Sequence, residues 1–159
     1  MHSPLESWLD YIQKLHPVKW DLGLERVAQV SAILGVEHPG AQVIVVAGTN
    51  GKGTTCEYLQ AMALAAGKKV GLTTSPHLIT YNERIRINGV SVADAQIVAA
   101  FETIEASRGS TSLSYFEFSA LAAMLIFSEA AVDIAILEVG LGGRLDAMNI
   151  VTPDLCVIT

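Results

Sequence analysis

The stretch VIVVAGTNGKGTT (43–55) constrains the fold more than any other part of the chain. Its five leading apolar residues read as a buried strand. Glycines and one lysine follow at once, ending in two adjacent threonines. A strand, a glycine-rich turn and a helix start in that order make an anion site. The first N–H groups of the helix have no partner inside it, and the helix dipole favours negative charge there. Gly48, Gly51 and Gly53 let a ligand approach the backbone across Thr49 and Asn50. Lys52 is placed to reach β- and γ-phosphates, and Thr54 or Thr55 to offer a hydroxyl to Mg²⁺. The strict phosphate-loop pattern GxxxxGK[ST] is not met. Val46 stands at the first glycine position, and Gly53 separates Lys52 from the hydroxyls. The competing reading is a plain strand–turn–helix connection with a surface lysine.

The remaining patterns predict strands alternating with helices. Ser3, Pro4 and Glu6 open a helix over 3–15 with a capping box, and a second helix over 24–35 ends at Gly35. After the glycine loop, a helix over 52–66 is closed by Gly67, and KKVGLTT (68–74) is the next strand. The polar connection 75–89 ends in a short strand or hairpin arm over 84–87, with Asn88-Gly89 as its turn. Ser91 through Asp94 open a helix whose Ile97, Ala100, Phe101 and Ile104 share a face and which Gly109 ends. SYFE (114–117) has capping-box form and opens a helix to about residue 130; DIAILEV (133–139) is a central strand and DLCVIT (154–159) begins another. This alternation predicts a doubly wound, mainly parallel α/β sheet. The last strand has nothing after it to cover it. The chain therefore reads as an incomplete domain, a piece of a longer protein.

Composition narrows the function classes. Hydrophobic residues make up 51% of the 159, and mean hydropathy is +0.43. Either a sheet covered on both faces or a surface meant for a missing partner domain explains this richness. A net charge of −6 without a basic stripe argues against nucleic acid as a partner. Cys56 and Cys156, with no CxxC and no His/Cys cluster, fit a reduced cytosolic protein and give no zinc site. The N-terminus lacks the basic start and apolar core of a secretory signal. The apolar run 119–139 carries Glu129 and Asp133 near its middle, which hydrocarbon penalises. A buried helix, a turn and a buried strand explain it better than a membrane span.

Magnesium requires hard oxygen ligands. Glu138 ends an apolar strand, which puts it at the carboxyl edge of the sheet, where ligands bind in open α/β folds. An ordinary surface glutamate is the alternative. In VGLGGRLDAMNIV (139–151), glycines let the backbone crowd a ligand and Arg144 can meet an anion; a solvated Arg144–Asp146 pair is the alternative. Ser75 precedes Pro76 and is thereby biased to extended backbone, aiming its hydroxyl inward; simple turn chemistry is the alternative.

Six segments together carry a resemblance: DLGLERV (21–27), AGTNGKGTT (47–55), TSPHL (74–78), ERIRING (83–89), SYFEFSALAA (114–123) and LEVGLGGRLDAMN (137–149). In order and spacing they resemble the bacterial dihydrofolate synthase/folylpolyglutamate synthase family of the Mur ligase superfamily, N-terminal ATP-binding part. The resemblance implies that residues 48–55 hold the phosphates of ATP, with Lys52 acting in catalysis, and that Ser75 and Glu138 bind Mg²⁺. It further implies that Asp21, Leu22, Gly23 and Leu24, Ser114, Tyr115, Phe116 and Glu117, and Leu145, Asp146 and Ala147 line a pteroate pocket. A pterin is flat, so Tyr115 or Phe116 can pack against it. Alternatively Ser114 and Glu117 only cap a helix and the aromatic rings are core; the two readings are compatible. Met148 stands where the family usually has threonine, which removes a hydroxyl.

The implied reaction joins L-glutamate to dihydropteroate and to folates through an acyl phosphate. Implied partners are these small molecules, with no nucleic acid and no membrane, in a cytoplasmic enzyme that is monomeric at full length. The family's further magnesium-binding histidine, its modified lysine and its glutamate-binding C-terminal domain have no counterpart in residues 1–159. His2, His16, His38 and His77 do not take that histidine's place. The segment by itself is thus expected to be inactive. Another Mur-type amino-acid ligase and a non-catalytic nucleotide-binding module are the rival readings.

Overall fold

The computed structural model describes residues 3–16 and 23–159. Helix α1 (Pro4–Leu15) begins with the capping box: the Ser3 hydroxyl accepts from the Glu6 amide and the Glu6 carboxylate accepts from the Ser3 amide. Helix α2 (Glu25–Leu34) closes on Gly35 at φ +68°. Strand β1 (Gln42–Ala47) leads through the glycine loop into α3 (Lys52–Ala65). Strand β2 (Val70–Thr73) is followed by a 3₁₀ turn, Tyr81–Arg84, and by the hairpin β3 (Ile85–Ile87) and β4 (Val90–Ser91). Asn88 and Gly89, at φ 50° and 79°, supply the left-handed backbone of a two-residue hairpin turn. Helices α4 (Asp94–Arg108) and α5 (Tyr115–Glu129) precede β5 (Ile134–Glu138), a 3₁₀ turn Ala147–Ile150 and β6 (Leu155–Ile158).

The strands form one sheet in the order β4-β3-β2-β5-β1-β6. β2, β5, β1 and β6 are mutually parallel, and β3 and β4 extend the sheet as an antiparallel hairpin. The expected mainly parallel α/β class is the one observed. Side chains alternate between its faces with the strand period of two. Val43, Val45, Ala135 and Leu137 join the large core beneath α1, α2, α4 and α5, whereas Val46, Ile136, Val70 and Leu72 pack with Cys56, Leu59, Ala63 and Leu64 of α3.

α5 lies innermost. Every residue from Glu117 through Phe127 is buried, so the helix is apolar all round instead of amphipathic. That burial and the turn before β5 account for the apolar run 119–139. Among the described residues no helix is long and apolar enough to cross a membrane.

Two local expectations differ from the structure. Ser91 pairs with Arg86 in β4, so α4 opens only at Asp94, where the Gln96 side chain accepts from the Ala93 amide at 3.0 Å. Arg84 belongs to the 3₁₀ turn and not to a strand. Glu83 accepts the amides of Leu78, Ile79 and Thr80 there, which tightens the chain before β3 can start.

Register fixes what lies at the carboxyl edge. Val46 pairs with Glu138 and Thr73 with Leu137. The glycine loop and the chain leaving β2 therefore emerge on either side of Glu138.

Candidate active site

β1 stops because Gly48 (φ +142°) and Gly51 (φ +78°) take backbone conformations that a β-carbon disfavours. Gly51 is the N-cap of α3, and no side chain caps this helix. Its first amides are thus left for a ligand. Thr49, Asn50 and Gly51 are exposed, as is Thr54, while Lys52, Gly53 and Thr55 are half-buried. The Lys52 side chain folds back over the loop, and Nζ donates to the Gly48 carbonyl at 2.9 Å.

Glu138 is only 5% exposed, which removes the ordinary surface glutamate as an explanation. Its Oε2 accepts the Ser75 amide at 2.8 Å. Its Oε1 lies 3.7 Å from where a β-carbon on Gly53 would stand. Burial raises the Glu138 pKa; the Ser75 amide and the Lys52 charge oppose that rise. Lys52, Gly53, Ser75 and Glu138 are therefore gathered at one place. The peptide between Ser75 and Pro76 is cis.

The loop after Glu138 is organised by Asp146, itself 2% exposed. Its carboxylate accepts the amides of Gly140 (3.1 Å), Leu141 (2.8 Å) and Met148 (2.9 Å). Burial raises its pKa against these three bonds. The solvated Arg144–Asp146 pair does not form; Arg144 and Leu145 are exposed, and Ala147 is buried. The Phe116 ring lies on Gly140, so close that a β-carbon there would stand 2.6 Å from Cζ. This contact joins the start of α5 to the Glu138 loop.

Ser114 and Glu117 form the expected capping box, with the Glu117 amide 3.3 Å from the Ser114 hydroxyl and the Ser114 amide 2.7 Å from Glu117 Oε2. The other Glu117 oxygen pairs with Arg26 at 3.1 Å. Arg26 thereby ties the start of α2, and with it Gly23 and Leu24, to the start of α5. Asp21 and Leu22 lie outside the described residues. Three of the implied pocket segments are thus brought together as far as they are described.

Sequence reasoning assigned no role to Arg84 or Arg26. Both sit inside quoted motifs, ERIRING and DLGLERV, but nothing in their spacing reveals a partner. Arg84 Nε donates to His77 Nδ1 at 2.7 Å, which requires the neutral ring. Burial, reinforced by Arg84, lowers the His77 pKa accordingly. Among the described residues no group of three or more His, Cys, Asp or Glu side chains is arranged to hold a metal ion. A Ser75–Glu138 site would supply one carboxylate and one hydroxyl. That small donor set suits Mg²⁺, which keeps several of its waters.

No family model matches the chain. It is 54% identical over 157 residues to the dihydrofolate synthase/folylpolyglutamate synthase of Escherichia coli (strain K12), an alignment covering 99% of this chain and 37% of that protein. It is 50% identical to the Haemophilus influenzae protein of the same name, covering 99% and 36%. Among solved structures it matches E. coli FolC in complex with DHPP and ADP at a TM-score of 0.98 and 54% identity, covering 99% of this chain and 38% of that one. It matches the Yersinia pestis bifunctional folylpolyglutamate synthase/dihydrofolate synthase complexed with AMPPNP and Mn ion at 0.94 and 52%, covering 98% and 38%. The chain thus spans little more than a third of the length of these relatives. At this identity, along nearly its whole length, the chain belongs to the dihydrofolate synthase/folylpolyglutamate synthase family.

Proposed function

We propose that this chain is the nucleotide-binding part of an ATP-dependent ligase that joins L-glutamate to dihydropteroate and to folates. The observation that carries the reading is the meeting of Lys52, the uncapped start of α3, the Ser75 loop and the buried Glu138 at one sheet edge. The relatives complexed with ADP, with AMPPNP and Mn, and with DHPP support ATP, a divalent cation and a pteroate-type acid as its ligands.

In the reaction, a carboxylate oxygen of the acid attacks the γ-phosphorus, the bond to the β-phosphate oxygen breaks, and ADP leaves. The amino group of glutamate then attacks the acyl carbon of the acyl phosphate; the C–O bond to phosphate breaks and the amine gives up a proton. Phosphoryl transfer is mainly positioning and charge stabilisation. The α3 amides and Gly48, Thr49, Asn50, Gly51, Gly53, Thr54 and Thr55 hold the phosphates, and Lys52 exchanges the Gly48 carbonyl for phosphate oxygens. Glu138 Oε1 accepts no hydrogen bond among the described residues, so with the Ser75 hydroxyl it is available to a cation. When bound, Mg²⁺ would neutralise charge on the phosphate oxygens. Phe116 and Tyr115, with Ser114 and Glu117 fixing their helix, border the acid's pocket beside Gly23, Leu24, Leu145, Asp146 and Ala147.

Two free cysteines, one buried and one exposed, support a cytoplasmic location. We take the enzyme to be a monomer with small molecules as its only partners. Lys52→Ala in the native enzyme tests the reading. The fold should survive, and turnover of dihydropteroate, glutamate and ATP should fall by at least about 10²-fold. Near-normal turnover, or a preference for a muramyl substrate, overturns it.

A further inference from the structure

We propose that Arg84 is the residue that receives the carboxylate of the acid substrate, an inference that rests on the ligase reading above. Arg84 ends the 3₁₀ turn before β3, and its carbonyl accepts the Thr74 amide at 3.2 Å. It therefore stands directly beside the chain that delivers Ser75. Its guanidinium carbon lies 5.6 Å from the Tyr81 ring centroid and 5.7 Å from that of Tyr115. Its Nε is held by His77. The support is itself rigid. Tyr81 is buried, donates its hydroxyl to Ser119 at 2.7 Å, and meets Phe101, Tyr115 and His77 edge-on.

All of these supports are neutral. Arg26 is paired with Glu117, Arg86 with Glu57 and Arg108 with Glu105, whereas Arg84 meets two phenol rings and an imidazole. The neighbouring Glu83 does not compensate it, because the Glu83 carboxylate is occupied by the amides of Leu78, Ile79 and Thr80. Among the described residues, both terminal nitrogens of Arg84 lack an acceptor. A guanidinium fixed at Nε and across its face, with its outer fork open, is prepared for bidentate capture of a planar carboxylate.

Its position selects the ligand. Tyr115, on which Arg84 lies, adjoins Phe116, and Phe116 covers Gly140, two residues beyond Glu138. Arg84 thus lies against the aromatic wall proposed for the acid and beside the chain that leads to Ser75, proposed for the cation. A carboxylate held there turns both oxygens to the guanidinium and leaves the rest of the acid to the aromatic wall. The same fork chemistry suits a nucleotide phosphate or a carboxylate of L-glutamate, and the experiment separates these sources.

Arg84→Gln and Arg84→Lys are compared with the unaltered native enzyme by steady-state kinetics in each substrate. Binding of the acid and of its carboxamide analogue is measured in parallel by titration. Losing a bidentate charged contact should raise KM for the acid about 10- to 100-fold in Arg84→Gln. Arg84→Lys, which keeps the charge without the fork, should show a smaller rise, with KM for ATP and for glutamate within about twofold. The carboxamide should bind the unaltered enzyme and Arg84→Gln equally. Equal weakening of acid and carboxamide would mean a structural role and overturn the proposal. A change confined to ATP or to glutamate would move the contact to those ligands and also overturn it. If the unaltered enzyme ligates but KM for the acid is unmoved in both variants, Arg84 alone is wrongly assigned. If the unaltered enzyme ligates nothing, the ligase reading and this one fall together.

Discussion

A methyl group on Gly53 would meet nothing nearer than Glu138 Oε1, at 3.7 Å, an ordinary contact. The folded chain therefore does not need glycine at this second position of α3, and alanine is the better helix former by about 1 kcal/mol. A ligand lying against the backbone does need it. Gly53→Ala should leave the thermal midpoint unchanged or higher while weakening ATP binding; calorimetric titration giving the unaltered affinity would show that no phosphate passes over this residue. Gly71 is the opposite case. A β-carbon there would lie 2.6 Å from the ring of Phe127, which is fully buried and has nowhere to go. Gly71→Ala should destabilise the fold by about 1–3 kcal/mol through overpacking, read from denaturant unfolding, without a specific effect on any ligand. Two glycines thus separate by measurement into one kept for binding and one kept for packing.

At the scale of elements, the loop after β2 is pinned by one side chain. Three backbone amides hold the Glu83 carboxyl far below its ordinary 4.5, at about 2. A carboxylate depressed in the folded state stabilises that state fully above its unfolded value and loses the contribution as pH falls through the folded one. Amide exchange at Leu78, Ile79 and Thr80 should stay protected from pH 7 to about 4.5 and lose protection progressively toward about 2; Glu83→Gln should lack it throughout. This element also marks how far the sequence could be read. Strand β1, the α1 and α5 capping boxes and the Asn88-Gly89 turn are local devices, and each was legible from a few adjacent residues. The 3₁₀ turn at Tyr81–Arg84 was not, because Glu83 answers amides that no periodicity displays. Asp146 was legible as a polar loop residue but not as the buried acceptor that shapes that loop. Arg84 lay inside a quoted motif and acquired its meaning only from Tyr115, far along the chain.

For the molecule as a whole, the sheet divides unequal cores. Among the described residues four helices cover one face, and α3 alone lies on the other. Cys56, on the sheet-facing side of α3, is fully buried, and burial, with Glu138 and Glu57 nearby, pushes its thiol up to about 12. In the folded protein at pH 8 it should resist a water-soluble thiol reagent and react only at the rate of global unfolding; faster labelling would mean that α3 lifts independently. The glycine loop and Ser75 were readable as neighbours of Glu138 once β1, β2 and β5 were recognised as parallel strands. Which strand lies between which follows from crossover topology, and no single segment displays it. β5 is made last of the three and inserts between the two older ones. β1 and β2 do not pair with each other, so the loop of Lys52 and the loop of Ser75 are held at a common place only by the strand that carries Glu138. Any change that displaces β5 should therefore separate both loops from the carboxylate in a single step.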